Sequence, residues 1–415
     1  MAEIDSVPER HASYSSLALH RVCPQRFTYR HLRRLERVEP GAVEAERDLG
    51  NWWHALRAAH SVERGLTHQS LQWTPERLST GQSGPVLAMP ALDSMLEDAR
   101  NGQIDPWCAR VMEAAEGWWQ GLSRDEQDAW AERMGGSLPE RLRYLDARWR
   151  EQWAEDLPHL HPLAVEMRWE RTLPAPADHV RLVGYVDEVY RDVRRDMIVV
   201  GDHKTHRALD TRTAADDMLD SQLQIYAWGA SPIVSTWGLG KIRALSYDRV
   251  RSVAPKQPSI TASGALSKSV TDYDLATYLA FAAGPDGQGV PWGEEDTYFK
   301  SGPRKGLPKF GHYVAEESVI TNLSDPAERA RWFQRTMTPL NRNLIRTHLR
   351  SAVDSALDVD RTRERFEEEG DAARNFAKHC QWCDFADLCR AEMTGGAGGE
   401  YDLESMFLRV RDKKA

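Results

Sequence analysis

The segment at 184–205, GYVDEVYRDVRRDMIVVGDHKT, constrains the fold of this chain more than any other stretch. Two runs rich in β-branched and aromatic residues, 180–190 and 197–204, flank the polar residues 191–196. That is the pattern of two antiparallel strands joined by a tight connection. Asp187 ends one apolar run, and Asp202 and Lys204 lie at the end of the next. Residues i and i+2 of a strand share a face, with Cα atoms about 6–7 Å apart, so Asp202 and Lys204 project together. A hairpin neighbour can set Asp187 beside them. Two carboxylates on an apolar sheet are costly to bury unless a cation neutralises them, and hard oxygen donors suit Mg²⁺ or Mn²⁺. Such a metal polarises a phosphodiester and acidifies an attacking water. A nearby lysine can orient or deprotonate that water, or stabilise charge on pentavalent phosphorus. A D-x-K triplet alone fits an ion pair on an edge strand equally well. The G-x-V-D about 15 residues upstream is what makes it specific.

Further residues extend the constellation. Gln222 and Tyr226 are i and i+4 on a following helix expected at 214–228, so both can point to the same edge of the sheet. His54, four residues after Gly50, falls on an N-terminal helix, where a neutral imidazole could complete a divalent-metal site or simply serve the core. His203 lies between Asp202 and Lys204, so its side chain faces away and only its backbone carbonyl could reach the metal. Cys380-x2-Cys383-x5-Cys389 is a second strong feature, because three thiols this close suggest metal ligation. Cys23 is the best candidate for a fourth ligand and Cys108 the spare. Thiolates alone allow zinc or an iron–sulfur cluster. Either would staple the two ends of the chain together.

At 415 residues the chain can build one elaborated domain or two to three. Apolar residues at 41% and charged residues at 28% exclude a disordered tail, and no apolar run is long enough to cross a membrane. The polar N-terminus lacks the apolar stretch of a secretory signal, and an odd number of cysteines gives no disulfide framework, so a cytoplasmic location is expected. A net charge of −9 argues against coating nucleic acid over the whole surface, while HRVCPQRFTYRHLRRLER at 20–37 leaves room for a local basic groove. The pattern predicts helices over 1–65, with a helix from Pro24 to Leu35 and another over 43–64 stopped by Gly65. It predicts a tryptophan-rich helical insertion over 66–160, an α/β core over 161–250, and an insertion with a further helical region over 251–370. The cysteine segment occupies 371–394, and GGAGG opens a flexible tail over 395–415. No phosphate-binding G-x-x-x-x-G-K-[ST] loop occurs.

Taken in order, the motifs resemble the RecB-like branch of the PD-(D/E)XK nuclease superfamily, and within it the iron–sulfur members: the AddB nuclease domain and the CRISPR-associated and phage RecB-like exonucleases. The matching pieces are S-x-S-x-L…C-P-x-R-F (Ser13, Ser15, Leu17, Cys23, Pro24, Arg26, Phe27), G-x-x-x-H, and Glu166 before the first core strand. G-x-V-D, D-x-K-T, Q-x-x-x-Y and the three-cysteine motif follow. The resemblance implies a restriction-endonuclease-like core with a mixed central sheet, a helical N-terminal insertion and a C-terminal iron–sulfur staple. It implies that His54, Asp187, Asp202 and the His203 carbonyl bind Mg²⁺ or Mn²⁺, that Lys204 is the catalytic lysine, and that Gln222 and Tyr226 support the site. Cys23, Cys380, Cys383 and Cys389 would hold a 4Fe-4S cluster, with zinc the alternative. Arg26, Arg30, Arg33 and Arg34 would contact phosphates, and Glu166 would be an accessory acid. The activity implied is a DNA exonuclease acting at single-stranded or frayed ends in recombination, repair or phage DNA processing, with a helicase or recombination partner. The rivals are a catalytically silent DNA-binding subunit, a CRISPR spacer-processing endonuclease and, for the cysteines, a zinc interaction module.

Overall fold

The computed structural model describes residues 10–394 apart from 36–43, 82–83, 210–215, 218, 260–265, 269–271, 285–290, 293–297, 299, 303–304, 308–310 and 313–314. The tail expected at 395–415 lies outside the described residues, as do residues 214–215 of the helix expected at 214–228. The chain opens with β1 (Arg10–Ser13), α1 (Tyr14–Val22) and α2 (Pro24–Phe27), which passes into a π turn at Thr28–Leu32. Ser13 and Ser16 cap α1 reciprocally, each hydroxyl accepting the other's backbone N–H. The long α3 (Ala45–Thr67) follows and runs past Gly65. Gly65 is a packing glycine and not a stop, since a Cβ there would lie 2.5 Å from the Leu71 side chain. A hairpin of β2 (Arg77–Ser79) and β3 (Val86–Ala88) interrupts the expected helical run before α4 (Leu92–Arg100), α5 (Trp107–Gln120), α6 (Arg124–Met134) and α7 (Leu138–Gln152). Trp107, Trp130 and Trp149 are buried where these helices meet Trp52 and Trp53 of α3, so the tryptophans of this region build a core.

The sheet comes next: β4 (Leu160–Thr172), β5 (Val180–Asp192) and β6 (Met197–His206), then α8 (Ser221–Thr236) crossing over to β7 (Ile242–Arg251). α8 starts behind its Asp220 cap and continues through Gly229, which sequence reasoning reads as its end. A Cβ at Gly229 would fall 2.1 Å from the Trp169 indole, and one at Gly184 would fall 2.6 Å from the same ring. Both glycines therefore exist to seat Trp169 between β5 and α8. Beyond β7 come α9 (Leu275–Ala283), the paired β8 (Pro291–Trp292) and β9 (Gly311–His312), α10 (Glu317–Leu323) and α11 (Pro326–Arg329). The further helical region expected within 251–370 is broken by β10 (Phe333–Pro339), an antiparallel partner of β7, before α12 (Arg342–Glu369) and α13 (Ala386–Met393).

The central sheet is mixed: β4–β5, β5–β6 and β7–β10 are antiparallel, β1–β5 and β6–β7 parallel. One core joins α3 to α4–α7, and a second joins the sheet to α1, α8 and α12. The sheet also forks. β4 covers one edge of β5 from Arg181 to Asp192. On the other edge β1 pairs as far as Val183, and β6 begins only at Glu188. Residues 184–187 have neither neighbour there, and the G-x-V-D motif fills that gap.

Candidate active site

The fork sets three carboxylates in a row. The β5–β6 ladder ends at Glu188↔Gly201, and its register carried one step further places Asp187 across from Asp202. On the other side, Val165↔Glu188 and Met167↔Val186 bracket Glu166 opposite Asp187. Glu166 has φ +47°, rare for a residue with a side chain, and so lies inside β4 at an irregular position, not ahead of the strand as the sequence suggests. Val165 packs into the core under α3 and Met167 into the core under α8, although residues two apart in a regular strand share a face. The backbone strain at Glu166 therefore turns the strand where the acids converge.

α3 brings in His54, whose Nδ1 is 3.4 Å from Asp187 Oδ2. Ligand atoms of His54, Glu166 and Asp187 all fall within 4.8 Å of one another. Gly50 lets α3 approach β6, since a Cβ there would already sit 3.1 Å from Thr205 Oγ1. The His203 N–H donates to Asp187 Oδ2 at 2.7 Å, so the last free rung of β6 pins that carboxylate. Its imidazole points away as expected, 3.6 Å from Glu188 in a buried pocket shared with Arg57, Asp248 and Arg335. Lys204 Nζ donates to Asp202 Oδ1 at 2.9 Å, while the buried Asp202 Oδ2 has no hydrogen-bond partner among the described residues. Tyr226 packs edge-on to Trp169 at 5.6 Å and, with Gln222, reaches the Lys204 side of the row.

The electrostatics express the crowding. Burial and the charge of Asp187 push Asp202 up to about 7. Burial, Asp187 and Asp202 raise Glu166 well above the usual carboxylate range. Burial lowers His54 and keeps its imidazole neutral, as a metal ligand must be. Burial would lower Lys204, but Asp202 and Asp187 outweigh it and hold the ammonium charged.

The cysteines divide four and one. Cys23, Cys380, Cys383 and Cys389 line one pocket of about 110 Å³, and no three of their sulfurs come within 4.8 Å of one another. Cys108 lies elsewhere, with His60 and Glu63. Arg26 and Arg33 face Asp384 and Glu392 of the cysteine segment, and Arg30 is 3.8 Å from Asp384. Arg26 and Arg33 thus dock the chain ends on each other, while Arg30 and Arg34 also line an open groove.

A family model described as PD-(D/E)XK nuclease superfamily matches residues 11–390. The chain belongs to the PD-(D/E)XK nuclease superfamily. Comparison with curated proteins finds none that matches significantly. Asp202-His203-Lys204 fits the (D/E)XK half of the superfamily name, and Val186-Asp187 stands where the name has Pro-Asp. PD-(D/E)XK nucleases use divalent metals, and the donor set suits one: oxygens from three carboxylates, among them the orphaned Asp202 Oδ2, and a neutral imidazole. Among the described residues no helix is long and apolar enough to cross a membrane. Sequence reasoning passed over Glu188, although adjacent acids in one apolar strand must face opposite ways. Asp187 goes to the row, and Glu188 accepts the Ser61 hydroxyl at 2.8 Å beneath α3.

Proposed function

We propose that this PD-(D/E)XK protein is a metal-dependent DNA exonuclease of the RecB-like iron–sulfur type, acting at single-stranded or frayed ends. The observation that carries the reading is the row Glu166–Asp187–Asp202 with Lys204 beside it and Asp202 Oδ2 unpaired. Asp187, Asp202, His54 and the His203 carbonyl would hold Mg²⁺ or Mn²⁺, with Glu166 as a further acid. The metal would polarise the scissile phosphate and acidify a bound water. Lys204, kept cationic by its acids, would donate to a phosphate oxygen as charge accumulates there. Tyr226 and Gln222 would fix the lysine's position and meet the substrate. His203 N–H holds Asp187 in its rotamer.

Cys23, Cys380, Cys383 and Cys389 would hold a 4Fe-4S cluster with a structural role. Their common pocket supports this. Tetrahedral zinc at about 2.3 Å would need sulfurs roughly 3.8 Å apart, whereas a cubane spreads its thiolates over separate irons. Iron and acid-labile sulfide in anaerobically purified protein, with broad absorption near about 400 nm, test the cluster; stoichiometric zinc would replace it.

For the activity, wild type and Lys204→Ala are incubated with end-labelled linear and with circular single-stranded DNA, in Mn²⁺ or EDTA. Metal-dependent loss of the linear strand, abolished by the substitution, is expected. Cutting of the circle would make the enzyme an endonuclease, and DNA binding without cleavage in any metal would make it a silent binding subunit.

A further inference from the structure

A carboxylate row repels the polyanion it is to cut, so the nucleic acid must be held elsewhere. A groove of about 760 Å³ runs between the N-terminal segment and α12. Arg10, Arg30, Arg34, Arg168 and Arg363 line it against one acid, Glu367. Some of this charge is compensated: Arg10 pairs with Asp360, and Arg168 with Glu170. Arg34 and Arg363 have no carboxylate partner among the described residues, and Arg363 Nε is buried without a hydrogen bond. Burial depresses Arg10, Asp360 raises it, and the neighbouring Arg363 lowers it by less. Five guanidinium groups lining one groove with a single acid suit an anion, the mirror image of the carboxylate row.

The floor of the groove joins it to the catalytic fork. Val183 and Tyr185 of β5 line it, and Tyr185 is 53% exposed in the stretch that neither β1 nor β6 covers. It precedes Asp187 by two residues, about 7 Å along a strand. A large exposed aromatic in a groove lined by guanidinium groups offers what a single strand needs, a ring to stack on and cations for its phosphates. A duplex offers the phosphates but keeps its bases stacked on each other.

We propose that this groove carries the single strand of DNA leading to the carboxylate row, with Arg34 and Arg363 contacting phosphates and Tyr185 stacking on a base next to the scissile bond. The inference rests on the nuclease reading and deepens it. The test is fluorescence anisotropy with labelled oligothymidylate in EDTA, where nothing can be cut. Tyr185→Ala is expected to weaken binding roughly five- to 160-fold, the range for losing one base–aromatic stack, and Tyr185→Phe to restore it. Arg34→Ala and Arg363→Ala should each lower the slope of log affinity against log salt by about 0.7. Blunt duplex should bind more weakly and ignore the Tyr185 change. Wild type that fails to bind oligothymidylate, or affinity left within twofold by both Tyr185→Ala and Arg363→Ala, overturns the groove. Cleavage by wild type together with unchanged binding in the variants would sink the groove alone. Binding that follows these residues without cleavage in any metal would keep the groove and sink the nuclease.

Discussion

Two histidines on one helix show what separates a metal site from a polar core. His54 and His60 both lie on α3, and each meets two further ligand-type groups within 4.8 Å: Glu166 and Asp187 for one, Glu63 and Cys108 for the other. Around His60 the neighbouring acids are answered. Asp146 touches its Nε2, Arg150 Nε is 3.1 Å from the same Asp146, and Glu63 Oε1 accepts the Cys108 N–H at 2.7 Å. Burial and Glu63 raise the Cys108 thiol, which keeps it protonated and a poor ligand. Around His54 the charges are not answered. Three carboxylates face Lys204, two of them are pushed upward, and one buried oxygen has no partner among the described residues. Residue type alone would rank the two groups alike; unbalanced charge ranks them apart.

The largest effect that could break this contrast is on the reaction. Lys204→Ala and Asp202→Asn should each lower cleavage at least about 100- to 1,000-fold, the scale for losing one electrostatic contact to a transition state. His60→Ala should leave the rate per folded molecule within about twofold. Single-turnover cleavage of end-labelled DNA in Mn²⁺ measures all three, and a rate loss in His60→Ala matching that of Lys204→Ala would erase the distinction.

The next effect is on stability against pH, where the two groups carry opposite signs. Asp202 titrates near about 7 in the folded, metal-free protein against about 3.9 unfolded, so the folded state binds the extra proton between those values. Its contribution is full below about pH 4 and is lost as pH rises toward 7, at up to about 1.4 kcal/mol per unit. Glu166 acts in the same direction. His60 is pushed down to about 4 by burial despite Asp146, against about 6.5 unfolded. Its contribution is full above about pH 6.5 and is lost as pH falls toward 4. Denaturant unfolding in EDTA should therefore show Asp202→Asn gaining more from rising pH than wild type does, and His60→Gln gaining less. Saturating Mn²⁺ should stabilise wild type but not Asp187→Asn, by about 2.7 kcal/mol at 100 times Kd. Parallel pH profiles in all three proteins would show that the two sites are electrostatically alike.

At fixed pH, His60→Ala should cost about 1–3 kcal/mol by stranding buried polar partners, while Asp202→Asn should stabilise the metal-free protein by relieving repulsion. The two changes in unfolding free energy are expected to differ in sign.

The sequence makes part of this visible for a physical reason. The β5–β6 hairpin is readable because its apolar runs alternate and end in charges, which leaves one economical pairing for Asp187, Asp202 and Lys204. Glu166 is recognisable as an acid but not as a strained one, because a positive φ at a glutamate has no compositional signature. β10 hides in FQRTMTP, a short polar stretch inside a charged helical region, and becomes a strand only because β7 offers an open edge. Gly229 and Gly65 look like helix stops, since the large side chain that needs each gap comes from elsewhere: Trp169 from β4, Leu71 from beyond the helix end. The fork is invisible for the same reason, because it arises where β1 ends and β6 begins on one edge of β5.

Gly50→Ala gives the smallest and most discriminating effect. In the interior of α3 alanine is favoured over glycine by up to about 1 kcal/mol. The new methyl would stand 3.1 Å from Thr205 Oγ1, close enough to push helix and strand apart by a few tenths of an ångström. His54 is one turn from that contact and His60 nearly two turns further on. The shift should move the imidazole relative to Asp187 and leave the His60–Asp146 pair in place. Cleavage should then fall severalfold, as small misplacements at a reacting centre do, with unfolding free energy unchanged or slightly higher. A matched loss of stability would mean that α3 responds as one rigid piece, and that Gly50 serves packing without setting the distance between His54 and the carboxylates.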